Sequence, residues 1–221
     1  MRFLFVILSM TVVFSARAHY PQVEIKTSQG LILVELYPDK APKTVENFLI
    51  YVKNDFYKGT IFHRVVNNFV IQGGGFLPDL KAKDTLPPIP SEATNGLRND
   101  AGMLAMARAY DINSATSQFY INVDRNLFLN HHKPVPDYYG YTVFGKVING
   151  MDVVRKIAAL KTTTAGPYFQ DVPVENVIIQ DVKLVPEIIN EPPAVEKPLL
   201  EPKPLKLNKP SKTTKPSKSK K

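Results

Sequence analysis

The chain reads as a mainly β protein, most simply a closed barrel whose two ends need covering. Three features of the sequence predict this. Short segments of alternating or continuous apolar character recur along residues 20–186, separated by loops rich in Gly, Pro, Asn and Asp. Only two stretches carry the i, i+3, i+4, i+7 spacing of a helix with one buried face. Hydrophobic residues make up 44% of the 221, with 12 Phe and 10 Tyr, enough to fill the core of one domain of ordinary size. Short strands in such number are best protected at their edges when the sheet closes on itself.

Residues 23–27 alternate apolar and polar, as do residues 32–36, and Ser28-Gln29-Gly30 between them reads as the turn of a β-hairpin. Residues 41–53 follow as a helix with Val45, Phe48, Leu49 and Val52 on one face. Pro42 suits its first turn, where the missing N–H costs nothing. Strand-like segments occupy residues 61–65, 70–72, 103–107, 119–123 and 142–147. The connection over residues 77–99 is long, which points to a functional or binding loop. A second helix is predicted over 151–160, because Met151, Val154, Ile157 and Ala158 share a face, and a last strand over 177–184.

Both ends of the chain differ from this body. Arg2, the apolar run over residues 3–14 and the small-x-small Ala16-Arg17-Ala18 have the layout of a secretory signal peptide, so residues 1–18 are expected to be cleaved, leaving a mature start at His19. The apolar run is shorter than the about 20 residues of a membrane-spanning helix. From about Pro186 prolines, lysines and serines take over, and residues 188–221 read as a disordered, basic tail with too few large apolar side chains to offset the entropy of ordering. That leaves residues 19–187 as the one folded domain.

The net charge of +8 is a property of the tail. Eight of the 28 basic residues are lysines after Glu201, where there is no acid, and the remaining 20 balance the 20 acidic residues. A near-neutral body gives no reason to expect nucleic acid as a partner. The tail is either a solubilising end or an attraction to anionic surfaces of the cell envelope. There are no cysteines, which excludes a disulfide framework, a thiolate zinc site and a cysteine nucleophile.

The chemistry concentrates in residues 62–76 and 103–123. Each segment sets a few polar groups, Arg64, Gln72, Arg108 and Gln118, among Phe62, Phe69, Ile71, Phe119 and Tyr120. That mixture suits a small apolar pocket with a few fixed hydrogen-bonding groups. Gly73-Gly74-Gly75 lacks the Lys-Ser/Thr ending of a phosphate loop. His131-His132 is read as a solvated loop pair rather than a metal site, since no further ligand stands at metal spacing. No Gly-x-Ser-x-Gly elbow is present.

These segments, with Ala105-Met106-Ala107-Arg108, Ser114-Ala-Thr-Ser-Gln-Phe119 and Gly140-Tyr-Thr-Val-Phe-Gly145, resemble the cyclophilin family of peptidyl-prolyl cis-trans isomerases, most closely its exported bacterial members. The resemblance runs over residues 20–186 in matching order. It implies an eight-stranded antiparallel barrel capped by two helices, working without metal or cofactor, and nothing in it requires more than a monomer. By position it implies Arg64 as the catalytic arginine and Gln72 as the residue that positions it. It places Phe69, Val70, Tyr120 and Leu129 around a proline pocket, Ala107, Arg108, Ala109 and Gln118 along the substrate chain, and Phe128 and Tyr141 at the rim. His63 has no proton-transfer role to fill.

The chemistry asked of such a site is modest. Rotation about an X–Pro bond meets a barrier of about 18–20 kcal/mol, because the twisted amide loses its resonance. No bond to carbon breaks, so a catalyst needs only to bind the twisted form better than the planar ones. An apolar pocket holds the ring, and a fixed cation favours the nitrogen as it becomes pyramidal. The chain departs from commoner family patterns at Tyr120 (for Phe), Val70 (for Met), Phe128 (for Trp) and Arg108 (for Asn), which implies altered substrate preference and weak cyclosporin binding. The function expected is proline isomerisation during folding of exported proteins, with unfolded or flexible proline-containing chains as partners and the periplasm, or a destination beyond it, as location. Two alternatives stay open: a peptide-binding chaperone or adaptor with little turnover, and an envelope or host-interaction protein driven by the tail.

Overall fold

The computed structural model describes residues 20–165 and 170–186. The expected signal peptide at 1–18 and basic tail at 188–221 lie outside the described residues. The chain begins with a hairpin, β1 (Gln22–Thr27) and β2 (Gly30–Leu36), and continues through α1 (Pro42–Lys53), β3 (Arg64–Val66) and β4 (Val70–Gly73). Strands β5 (Met103–Met106), β6 (Phe119–Asn122) and β7 (Val143–Asn149) lead to α2 (Met151–Ala158). The two-residue strands β8 (Thr162–Thr163) and β9 (Val172–Pro173) precede β10 (Ile179–Leu184).

Eight strands form one antiparallel sheet in the order β10-β1-β2-β7-β5-β6-β4-β3, while β8 and β9 pair separately. The hairpin turn is held by Thr27, whose hydroxyl donates to Gly30 O at 2.8 Å and accepts from the amides of Gln29 and Gly30. Register shifts at Lys26/Thr27, Leu33/Val34 and Leu104/Ala105 add local twist and curl the sheet.

The expected closed barrel is corrected to an open, strongly curled sheet, because its edge strands β3 and β10 do not pair with each other. β3 holds only three residues. The segment before it meets the start of β10 through a single Ile61–Ile178 bridge and a few backbone hydrogen bonds, such as Phe62 N to Val177 O at 2.9 Å. Residues 61–63, expected as strand, thus seal the seam as extended backbone without forming a ladder.

Alternation along the strands gives the sheet two apolar faces. One face, with Val23, Ile25, Ile32, Val34, Val65, Ile71, Leu104, Phe119, Ile121 and Phe144, builds the main core together with Phe48 of α1 and Val154 and Ile157 of α2. The opposite face carries a second, smaller cluster of Val70, Ala105, Tyr120 and Val143. Two glycines stand where no side chain fits. A Cβ on Gly150, at φ +90° before α2, would stand 2.4 Å from Leu31 O. One on Gly74, at φ +83°, would stand 2.9 Å from the rings of Phe119 and Tyr57. Gly74 is therefore a packing device of the core.

The long connection 77–99 is a strap rather than a free binding loop. Leu86 N donates to Tyr51 Oη at 2.9 Å, and Asn95 Nδ2 donates to Val143 O at 2.9 Å. The Glu92 carboxylate accepts from the amides of Lys43 and Thr44 at 3.1 and 2.9 Å and from Thr44 Oγ1 at 2.7 Å. Ala41 at the start of α1 has no side chain to cap the free N–H groups there, so the strap supplies the cap from 48 residues away.

Candidate active site

The second apolar face becomes a site because one level of the sheet runs across five strands, with a register shift only at its β5–β7 end. Arg64 pairs with Gln72, Gln72 with Tyr120, Tyr120 with Ala105, and Ala105 with Val143. Since side chains of facing residues point the same way in a sheet, this row delivers a cation, an amide and an aromatic ring to one surface. Over it lies a cleft of about 370 Å³, open to solvent, lined by Arg64, Phe69, Val70, Gln72, Ala107, Arg108, Tyr120, Leu129 and Tyr141. A second cleft of about 520 Å³, lined by Gln72, Ala107, Arg108, Ala109, Ser114, Thr116 and Gln118, adjoins the first and shares three residues with it.

The first cleft has apolar walls. Tyr141 meets Tyr120 edge to face, with ring centroids 5.8 Å apart, and Val70, Ala105 and Val143 are buried beside them. Phe128, two-thirds exposed, stacks on Phe69 at 5.6 Å and extends that wall toward solvent.

Arg64 stands at the mouth. Its guanidinium lies 5.5 Å from the Phe69 ring centroid, and its Nε is 3.8 Å from Asp171 Oδ2, both side chains being more than a third exposed. At that distance and exposure the pair is loose, and the arginine keeps donors for a ligand. Gln72, implied by resemblance to position this arginine, stands opposite it in the sheet and donates Nε2 to Gln118 Oε1 at 3.0 Å. That bond ties the two clefts together. Gly75 permits it, since a Cβ there would stand 2.5 Å from the Gln118 side chain.

Arg108 is committed elsewhere. Its Nε donates to Gly140 O at 2.9 Å, and its terminal nitrogens donate to Ala109 O, Tyr110 O and Pro136 O at 2.9, 3.2 and 2.8 Å. Its guanidinium also covers the Tyr141 ring at 4.8 Å. It lines both clefts as a staple between two loops, with its charge spent on carbonyls. His63, next to Arg64, is buried and packs against Phe76 at 4.6 Å. Burial, and then the neighbouring charge of Arg64, lower its pKa to about 4. His131 and His132 face the carbonyls of Tyr139 and Leu127.

A buried group of asparagines beneath the cleft was not read from the sequence. Tyr120 Oη donates to Asn99 Oδ1 at 2.7 Å, and Asn122, Asn126 and Asn130 extend the network. The available signal was the spacing Asn122-x-x-x-Asn126-x-x-x-Asn130 after a buried strand, which looks like ordinary loop composition.

Comparison with known proteins gives the family. Residues 22–184 match the family model for cyclophilin type peptidyl-prolyl cis-trans isomerase/CLD. The chain is 55% identical over 163 residues to peptidyl-prolyl cis-trans isomerase cyp18 of Streptomyces antibioticus, covering 74% of this chain and 98% of that one. It is 52% identical over 160 residues to peptidyl-prolyl cis-trans isomerase B of Escherichia coli K12, covering 72% and 97%. The crystal structure of a Cryptosporidium parvum cyclophilin type peptidyl-prolyl cis-trans isomerase superposes with a TM-score of 0.61 at 28% identity, covering 76% of this chain and 98% of that one. On sequence and fold together, the chain belongs to the cyclophilin family and is a peptidyl-prolyl cis-trans isomerase.

Proposed function

We propose that the first cleft seats the proline ring, that Arg64 stabilises the twisted prolyl amide, and that the clients are flexible Xaa-Pro segments of exported proteins. The observation that carries this is the row Arg64–Gln72–Tyr120, which sets a cation with spare donors at the mouth of an apolar cleft. Phe69, Val70, Leu129, Tyr120 and Tyr141 hold the ring by contact alone and favour neither isomer. Arg64 acts on the difference between states. A planar amide nitrogen offers no lone pair, whereas a twisted one does, so a fixed N–H donor interacts with the nitrogen only near the top of the barrier. The second cleft, with Gln118 and the backbone of residues 107–109, takes the chain beside the proline. A Cryptosporidium parvum relative, 28% identical with a TM-score of 0.60, was crystallised in the presence of Ala-Pro, which supports a proline peptide as the ligand class.

The test compares turnover of an Ala-Xaa-Pro-Phe peptide with its binding, in wild type and Arg64→Ala. The proposal requires turnover to collapse while binding persists. A chaperone or adaptor would show little turnover in either protein.

Export rests on the layout of residues 1–18. Its check is the mass of the mature chain, expected to begin at His19. A mature protein retaining Met1 overturns it. The lysines after Glu201 would then hold the enzyme near anionic envelope surfaces, with the periplasm as the first destination.

Cyclosporin is expected to inhibit weakly. Phe128 stacks on Phe69 and offers no N–H donor, where the resemblance places an indole in many relatives. Phe128→Trp should strengthen inhibition about tenfold, the worth of one good hydrogen bond. An unchanged inhibition constant removes the basis of this claim.

A further inference from the structure

We propose that Asn99 is a positioning residue for the proline pocket, fixing its walls through a buried amide network that makes no direct contact with substrate. The inference rests on reading the first cleft as the proline site. Asn99 is fully buried, as is Asn122, with Tyr120 and Asn126 each only 4% exposed. Its Oδ1 accepts from Tyr120 Oη at 2.7 Å and from Asn122 Nδ2 at 3.2 Å, which uses both lone pairs. Its backbone N–H and Nδ2 both donate to Asn130 Oδ1, at 2.8 and 3.2 Å. Its carbonyl accepts from Asn126 N at 2.8 Å.

Each branch ends on a pocket wall. Tyr120 is the floor. Asn126 Nδ2 donates to Phe69 O at 2.9 Å and to Asn122 Oδ1 at 2.8 Å, fixing the turn that presents Phe69. Asn130 closes the short helix Leu127–Leu129, which carries Phe128 and Leu129, and Leu129 O accepts from Tyr141 N at 3.0 Å. One side chain at the end of the 77–99 strap thus fixes the relative placement of Phe69, Tyr120, Leu129 and Tyr141. The main core takes no part in the network. Arg64 stands on β3, outside it. A satisfied buried network of this kind rigidifies what it holds, and losing one member leaves the others unpaired. The same network accounts for a tyrosine at 120: the ring alone would fill the wall, and the hydroxyl adds only the bond to Asn99.

Disturbing Asn99 should therefore loosen ring binding equally in the planar and twisted states, raising KM and sparing kcat. Asn99→Ala is expected to raise KM for the Ala-Xaa-Pro-Phe peptide about tenfold, with kcat within about twofold of wild type. Tyr120→Phe, which removes one hydroxyl and no packing, should raise KM about threefold. The double variant should bind no worse than Asn99→Ala alone, because the hydroxyl's partner has already gone. Thermal unfolding is recorded for each. Lowered stability with unchanged KM overturns the proposal, since the network then holds the fold and not the pocket. Should Asn99→Ala fail to fold, an unchanged KM in Tyr120→Phe overturns it equally. Phe69→Ala separates this from the underlying reading: if it raises KM while Asn99→Ala does not, only the role of Asn99 fails. If Phe69→Ala also leaves KM unchanged, the cleft is not the proline site.

Discussion

Arg64→Ala is expected to lower kcat for an Ala-Xaa-Pro-Phe peptide about 10²- to 10³-fold, the usual loss when one preorganised donor to a developing charge is removed. KM should move only a few fold, because on the proposed reading the ring is held by Phe69, Val70, Leu129, Tyr120 and Tyr141, of which only Phe69 touches the guanidinium. A fall in kcat without loss of binding marks an interaction made only near the transition state. Arg64→Lys should recover little, since an ammonium lacks the planar fork that keeps one donor on the nitrogen while Nε faces Asp171. Progress curves followed with peptide in excess measure both constants. Wild-type turnover in Arg64→Ala would assign the chemistry to another group.

The second large effect concerns stability. His63 titrates near pH 4 in the folded protein, against an ordinary value of 6.5, because burial and the adjacent Arg64 disfavour its charged form. Between those values the unfolded chain binds a proton at this residue that the folded chain does not. Stability from His63 is therefore fully present above pH 6.5, falls as pH drops through the window, and levels off below pH 4. The full swing is about 3 kcal/mol. Urea unfolding of wild type and His63→Gln across pH 3.5–7.5 isolates it, because other acid-labile groups cancel in the difference. Wild type should lose stability relative to the variant on acidification. Parallel curves would show that His63 takes up its proton as readily in the folded chain as in the unfolded one.

Much of this molecule could be read from residue patterns because the relevant interactions are local. The β1–β2 hairpin and α1 follow from alternation over residues 23–36 and the spacing of Val45, Phe48, Leu49 and Val52. Strands β5, β6 and β7 fall within a residue or two of their expected bounds. What escaped is long-range. Residues 61–63 look like a strand, but the amides of Ile61 and Phe62 answer to Phe76 and Val177 rather than to a ladder. The pairing of β8 with β9 rests on two residues a side and has no period to detect. Glu92 resembles any loop carboxylate until α1 is seen to lack a cap of its own. At the site, the residues implied by resemblance do line the two clefts, with Phe128 on their edge, yet Arg108 proves occupied by carbonyls and Gln72 is bonded to Gln118. The asparagine hub joins positions 31 residues apart, a distance over which no periodicity speaks.

The cleft lies on the side of the sheet turned away from the main core. On the proposed reading, a client need not be threaded by an end: a bend in the middle of a long polypeptide can touch down, turn over and leave.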